Sequence, residues 1–191
     1  MKDLKTTIAE IIDNTKDTDL AAIRRFFFED PSRPLIAIGS GAAETAADYA
    51  ALLYGARGGF STAVSPYTLN SYSDEALKTA KLLLVSAGGH NNDIVFAAKR
   101  ALAVNPEHTA SFTFSQSDRN EVRKLFQKAG NPNSFDLECG NPHDGFVAVG
   151  TPLQYFALLT RIFNPGCDLR STPLFRRLHS VSRGMTAHLF P

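Results

Sequence analysis

Two runs of uninterrupted apolar residues, Leu35-Ile-Ala-Ile38 and Leu82-Leu-Leu-Val85, are each stopped by small residues and followed by a helix-forming stretch. A strand with no polar alternation has no face for water, so it belongs in a sheet covered on both sides. Such sheets are parallel, because only crossover helices can cover both faces. This one pattern constrains the fold more than anything else in the chain.

The remaining segments repeat it. Further strands fit residues 61–64, 109–114 and 135–138, and helices fit 42–54, 92–104, 119–129 and 152–163, with Pro152 in a favourable opening position. The helix at 42–54 has a face of small residues, Ala43, Ala46, Ala47 and Ala50, while Ile94, Val95, Ala98, Ala101 and Leu102 point inward from the next. Residues 4–28 read as helix with a broken 3–4 spacing of Leu4, Ile8, Ile11, Ile12, Leu20, Ile23 and Phe27, split by the poor helix formers from Asn14 to Asp19. Pro31 and Pro34 end it. The expectation is an α/β fold, a three-layer αβα sandwich with a five-stranded parallel sheet. The boundaries are an N-terminal helical segment at 1–30, the α/β domain at 31–165 and a basic tail at 166–191.

Composition narrows the function classes. Hydrophobic residues are 43% and charged residues 20% of the 191, average for a globular chain, which excludes a mainly disordered or coiled-coil protein. The net charge of +1 gives no global field for nucleic acid or an anionic membrane, so neither is expected as a partner. Residues 170–191 hold Arg170, Arg176, Arg177 and Arg183 and no acid. They read as packing on a partner subunit or leading to a further segment. A phosphate or nucleic-acid contact is disfavoured, because 22 residues with Pro173 and Gly184 make neither a groove nor a long basic helix. Two cysteines, Cys139 and Cys167, cannot build a disulfide framework. No apolar run reaches the roughly 20 residues of a membrane span, and Met-Lys-Asp-Leu-Lys is no secretory signal. A cytoplasmic location is the expectation. Phe26-Phe27-Phe28 cannot all face inward from one helix, which suggests contact with a partner.

In an open parallel sheet, ligands bind beyond the carboxyl ends of the strands where strand order reverses. Two loops have the composition for that edge: Gly39-Ser40-Gly41, and Ser86-Ala87-Gly88-Gly89-His90-Asn91-Asn92. Glycine lets backbone approach a ligand, and the following helix offers free N–H groups and the positive end of its dipole. A dinucleotide does not fit, because Glu44 replaces the third glycine of G-x-G-x-x-G and the second strand ends in Val64-Ser65-Pro66 without an acid for the ribose. Cys139, His143 and Asp144 lack a second ligand pair for a metal, and Ser40 and Ser86 lack a G-x-S-x-G elbow. Neither a metal nor another cofactor is expected.

These residues resemble the SIS (sugar isomerase) domain family. The likeness runs from Leu35-Ile-Ala-Ile-Gly-Ser-Gly41 through Leu82 to Ile94, Phe112-Thr-Phe-Ser-Gln-Ser117 and Asp144-Gly-Phe-Val-Ala148 to the helix carrying Leu153, Phe156 and Leu159. It implies a flavodoxin-like sheet with a sugar-phosphate site formed by Gly39, Ser40, Gly41, Ser86, Gly88, Gly89, Asn91, Ser115 and Ser117. In the family the third-strand loop reads about S-x-S-G-x-T, and its hydroxyls hold the phosphate. Ser86 and Gly89 match, whereas Gly88 stands where a serine belongs, Asn91 where a threonine belongs, and Ala43 where the first loop has a hydroxyl. Each lost hydrogen bond is worth about 1 kcal/mol, so two or three missing hydroxyls weaken the usual phosphate grip by on the order of a hundredfold. The Asn91 amide recovers part of this. Candidates for the base of an enediol isomerisation are Glu44, His90, His143 and Asp144. Thr151-Pro152 departs from the lysine-bearing loop of the glucosamine synthases.

Three readings stay open: an aldose–ketose isomerase of a sugar phosphate, a non-catalytic sensor or assembly module, and one half of a larger SIS protein. A homodimer through the N-terminal helix and the 152–163 helix is expected.

Overall fold

Five strands form one all-parallel sheet in the order β2-β1-β3-β4-β5 in the computed structural model, which describes residues 4–137 and 150–172. They are β1 (Leu35–Gly39), β2 (Ser61–Val64), β3 (Lys81–Ser86), β4 (Thr109–Thr113) and β5 (Ser134–Asp136). The order reverses between β1 and β3, whose register runs from Leu35 opposite Lys81 to Gly39 opposite Val85. The two strands therefore end level, and the loops that leave them are neighbours.

The chain divides into two compact units, Asp19–Glu138 and Met1–Thr18 with Cys139–Pro191. In the first, the helices are α2 (Ala21–Phe28), α3 (Ala42–Gly55), α4 (Pro66–Leu69), α5 (Asp74–Thr79), α6 (Asn92–Val104) and α7 (Glu121–Lys128). On one face Ile36, Ile38, Leu82 and Leu84 pack with Ile94, Ala98 and Ala101 of α6 and with Val122 and Phe126 of α7. Strand alternation turns Leu35, Ala37, Leu83 and Val85 to the other face, where α3 lies. The alanines of α3 let its backbone come so close that a Cβ on Gly39 would stand 2.4 Å from the Ala43 carbonyl oxygen. The expected continuous burial is complete: all five residues of β1 and the first five of β3 are buried.

Helices α4 and α5 cover a stretch for which the sequence reading assigned no elements. Their N-caps are Ser65, accepting from Thr68 N at 3.1 Å, and Ser73, accepting from Ala76 N at 3.2 Å. Buried Asn105 then ties the end of α5 to the start of β4. Its Nδ2 donates to the carbonyls of Leu77 at 2.9 Å and Ala80 at 2.8 Å, and Thr109 Oγ1 donates to the Asn105 carbonyl at 2.5 Å.

The phenylalanine run is absorbed within the chain. Phe27 is wholly buried, its ring 6.4 Å from that of Tyr54, and Phe26 lies 6.5 Å from Phe135. Phe28 is half-buried between the guanidinium groups of Arg24 and Arg57, each 5.5 Å from its centroid. The third ring thus meets two cations of its own chain.

At the amino edge, Lys81 is buried at the head of β3 and donates from Nζ to the Phe27 carbonyl at 2.8 Å. That oxygen is in the last turn of α2, where carbonyls lack helical partners and the dipole favours a cation. Burial pushes the pKa of Lys81 down, against the pull of Asp30 and Glu29. Nearby His108 also has its pKa lowered, by burial first and then by Arg33. The folded chain thus prefers neutral imidazole. As pH falls through the ordinary histidine value near 6.5, the unfolded chain takes up a proton that the folded one resists, so stability declines until the lowered folded pKa is passed. His108→Gln is expected to flatten the loss of Tm between pH 7 and 5.5 in thermal melts; an unchanged slope would overturn this.

In the second unit, α1 (Leu4–Asn14) and α8 (Gly150–Phe163) pack on each other through Ile8, Ile11 and Ile12 against Leu153 and Ala157. Thr15 Oγ1 closes the end of α1 on the Ile11 carbonyl at 2.8 Å, and Arg161 donates to the Thr15 carbonyl. Helix α8 opens two residues earlier than expected, with Pro152 still in its first turn, where a missing N–H costs nothing. Among the described residues, no helix is long and apolar enough to cross a membrane.

Candidate ligand site at the carboxyl edge of the sheet

The first loop turns sharply from strand to helix. Gly41 is the N-cap of α3 at φ 59°, ψ −130°, a conformation that a side chain would strain. Glu44 follows in the first turn, exposed, where an acid suits the dipole.

The second loop is a hydrogen-bonded turn. Ser86 Oγ accepts from Gly89 N at 3.2 Å, leaving its own proton free to donate. Asn91 caps α6, its Oδ1 accepting from Asp93 N at 2.8 Å, which explains why this helix starts where the sequence places it. The capping oxygen is thereby occupied, while Nδ2 makes no hydrogen bond among the described residues and points to a donor role. His90 is exposed and folds back over Gly88, with Nδ1 2.4 Å from where a Gly88 Cβ would stand.

Behind this loop lies Asn120, a wholly buried side chain that sequence reasoning missed. Its Nδ2 donates to Thr113 Oγ1 at 2.9 Å, to the Ser115 carbonyl at 2.7 Å and to Asp136 Oδ1 at 3.2 Å, and its Oδ1 accepts from Arg123 N at 3.0 Å. Gly89 rests against it, at φ 63°, and its carbonyl accepts from Val122 N at 3.0 Å. Asp136 also pairs with Arg123 at 3.6 Å and accepts from Thr113 Oγ1 at 2.5 Å. One asparagine thus joins the loops after β3 and β4 to the end of β5. Ser115 and Ser117 sit in the β4 loop, their hydroxyls 2.9 Å apart.

A cavity of about 340 Å³ opens at this edge. Of the expected residues it collects Ser40, Gly41 and Glu44; Gly39, Ser86, Gly88, Gly89, His90, Asn91, Ser115 and Ser117 are outside its lining. It adds Ser65, Tyr67, Asn70, Asp93 and Phe96. The last ring is 57% exposed and that of Tyr67 87%, so both are open to a ligand face. Nothing in the sequence order announces this grouping, since β2, β1 and β3 bring the segments together only once paired. His143 and Asp144, and with them Cys139, lie outside the described residues.

No protein-family model matches the sequence, and no curated protein is significantly similar to it. Solved structures share its fold. The tagatose-6-phosphate ketose/aldose isomerase of Escherichia coli superposes with a TM-score of 0.69 at 17% identity, over 96% of this chain and 52% of that one. This chain therefore spans about half the length of that relative. The NanR protein of Vibrio vulnificus, solved with ManNAc-6P, gives 0.65 at 16% identity over 97% of this chain and 67% of that one. Protein MJ1247 of Methanococcus jannaschii, whose structure is described as inferring a 3-hexulose-6-phosphate isomerase function, gives 0.60 at 16% identity, covering 92% and 89%. With the strand order and the two carboxyl-edge loops, these likenesses establish that the chain has the fold of the sugar isomerase (SIS) domain.

Proposed function

We propose that this chain binds a sugar phosphate at the carboxyl edge of its sheet, with the phosphate over the first turn of α6 and the sugar in the cavity beside Ser40, Glu44 and Tyr67. One observation carries the reading: two loops end level at the point where strand order reverses, each feeding a helix N-terminus. The complex of the Vibrio vulnificus protein with ManNAc-6P, on the same fold, supports it. Ser86 supplies a spare hydroxyl proton and Asn91 a spare amide.

A second reading, isomerisation through an enediol, rests on Glu44. Of the described base candidates it lines the cavity, and His90 does not. An enediol route needs a base that removes a proton from one sugar carbon and returns it to the next. The proposed assembly is a homodimer, and a monomer mass by light scattering at high concentration would overturn that.

The test is a thermal-shift screen with hexose, hexosamine, heptose and pentose phosphates beside their unphosphorylated forms. A ligand at 100 times its Kd adds about 2.7 kcal/mol. Ser86→Ala is expected to weaken binding of the responding phosphate about tenfold, through one charge-assisted hydrogen bond. Glu44→Gln is expected to leave binding intact and abolish any aldose–ketose turnover. A silent panel, or a shift indifferent to Ser86→Ala, overturns the site.

A further inference from the structure

The opposite edge of the sheet holds a second cavity, of about 360 Å³, with Lys81 in its wall. Lys81 is 2% exposed, and its ammonium has one oxygen acceptor, the Phe27 carbonyl at 2.8 Å. Two aromatic faces, Phe26 at 5.9 Å and Tyr54 at 5.8 Å, share the charge, but no carboxylate reaches it. An ammonium has three protons to place. Two are left without an oxygen in a setting where burial of a charge is costly unless it is hydrogen-bonded.

The cavity wall carries the complement of this cation. Glu29 and Glu107 line it, and among the described residues neither carboxylate makes a hydrogen bond or ion pair. Asp30, also in the wall, is already held by Arg33 at 2.9 Å and Ser32 at 2.7 Å. Phe135 and Pro132 supply an apolar side. A buried donor, free acceptors and an apolar wall fit a small molecule that bears one carboxylate and one ammonium.

We propose that this cavity binds a free α-amino acid, its carboxylate on Lys81, its ammonium between Glu29 and Glu107, and its side chain toward Phe135. A neutral sugar would offer Lys81 only uncharged oxygens, which bond an ammonium less strongly than a carboxylate does. Arg25 also lines the wall, so Glu29 and Glu107 select for an ammonium on the ligand and do not by themselves exclude a second carboxylate. The site is independent of the sugar-phosphate site, sharing no residue with it.

The experiment is calorimetric titration of the full chain with each of the twenty L-amino acids, followed for any binder by its amide and its N-acetyl derivative. Binding of at least one amino acid is expected, with both derivatives weakened about tenfold or more, since each loses one charged contact. Glu29→Gln with Glu107→Gln, two side chains that make no hydrogen bond or ion pair among the described residues, is expected to weaken it to the same degree. Lys81→Met is expected to abolish it; should that variant fail to fold, the paired glutamine variant decides. Ser86→Ala is expected to leave it unchanged, which separates this site from the sugar site. No binding by any amino acid, equal binding of the amides, or full affinity in the paired variant overturns the proposal.

Discussion

Gly89→Ala is expected to lower stability by about 2–5 kcal/mol and to abolish sugar-phosphate binding. Two costs add. At φ 63° an alanine pays about 1–2 kcal/mol for the left-handed conformation. Its Cβ would also stand 1.9 Å from Asn120 Oδ1, and Asn120 cannot yield without breaking the bonds that hold Thr113, Ser115 and Asp136. Stranding such buried groups costs about 1–3 kcal/mol. For a chain of this size the sum lowers Tm by on the order of 10 °C. Gly130→Ala is the control, since its φ is 64° but nothing lies within 4 Å of the added carbon. It is expected to show the backbone cost alone and full ligand affinity. Equal melting temperatures for the two variants would remove Asn120 from the account.

Gly88→Ser combined with Asn91→Thr is expected to tighten sugar-phosphate binding by about tenfold. The serine adds a hydroxyl where the SIS family carries one, worth about 1 kcal/mol or more against a charged phosphate, while the threonine exchanges the Asn91 amide donor for a hydroxyl and adds less. Space allows both. A side chain at 88 meets the ring of His90, which is exposed and can swing away. Threonine at 91 keeps an oxygen for the N-cap of α6 at a small loss. Titration calorimetry should show the gain for the phosphate and none for the unphosphorylated sugar. A gain for both, or none for either, would place the phosphate elsewhere.

The parts of the fold legible in sequence were those with strong local physics. Strands β1 and β3 betrayed themselves by continuous burial, and α6 by apolar spacing behind an Asn cap. Helices α4 and α5, of four and six residues, are too short to show a period. Their signals were at their starts: serine at each N-cap, Pro66 behind the first, and Asp74 and Glu75 behind the second. The site divided in the same way. Ser40, Gly41 and Glu44 were legible because a strand, a glycine turn and a helix follow one another in the chain. Asn120 was not: the sequence puts it inside a helix starting at 119, whereas it is the N-cap of α7. Its ties to Thr113 and Asp136 exist only when β4 and β5 lie side by side. Tyr67 and Phe96 were hidden for the same reason: both are exposed, so no burial pattern marks them, and the cavity that gathers them is made by pairing β2 with β1 and β1 with β3.

The bond from Lys81 to the end of α2 has a consequence for how the molecule opens. Fraying that helix would take the Phe27 carbonyl away from a buried ammonium and leave the charge on the central strand without its oxygen. Opening of α2 is thereby linked in free energy to disruption of β3, so the helix behaves as part of the sheet's cooperative unit instead of as a loose appendage. Amide protons of Phe26 and Phe27 should exchange with solvent nearly as slowly as those of Leu82 to Leu84, and markedly faster once Lys81 is replaced by methionine.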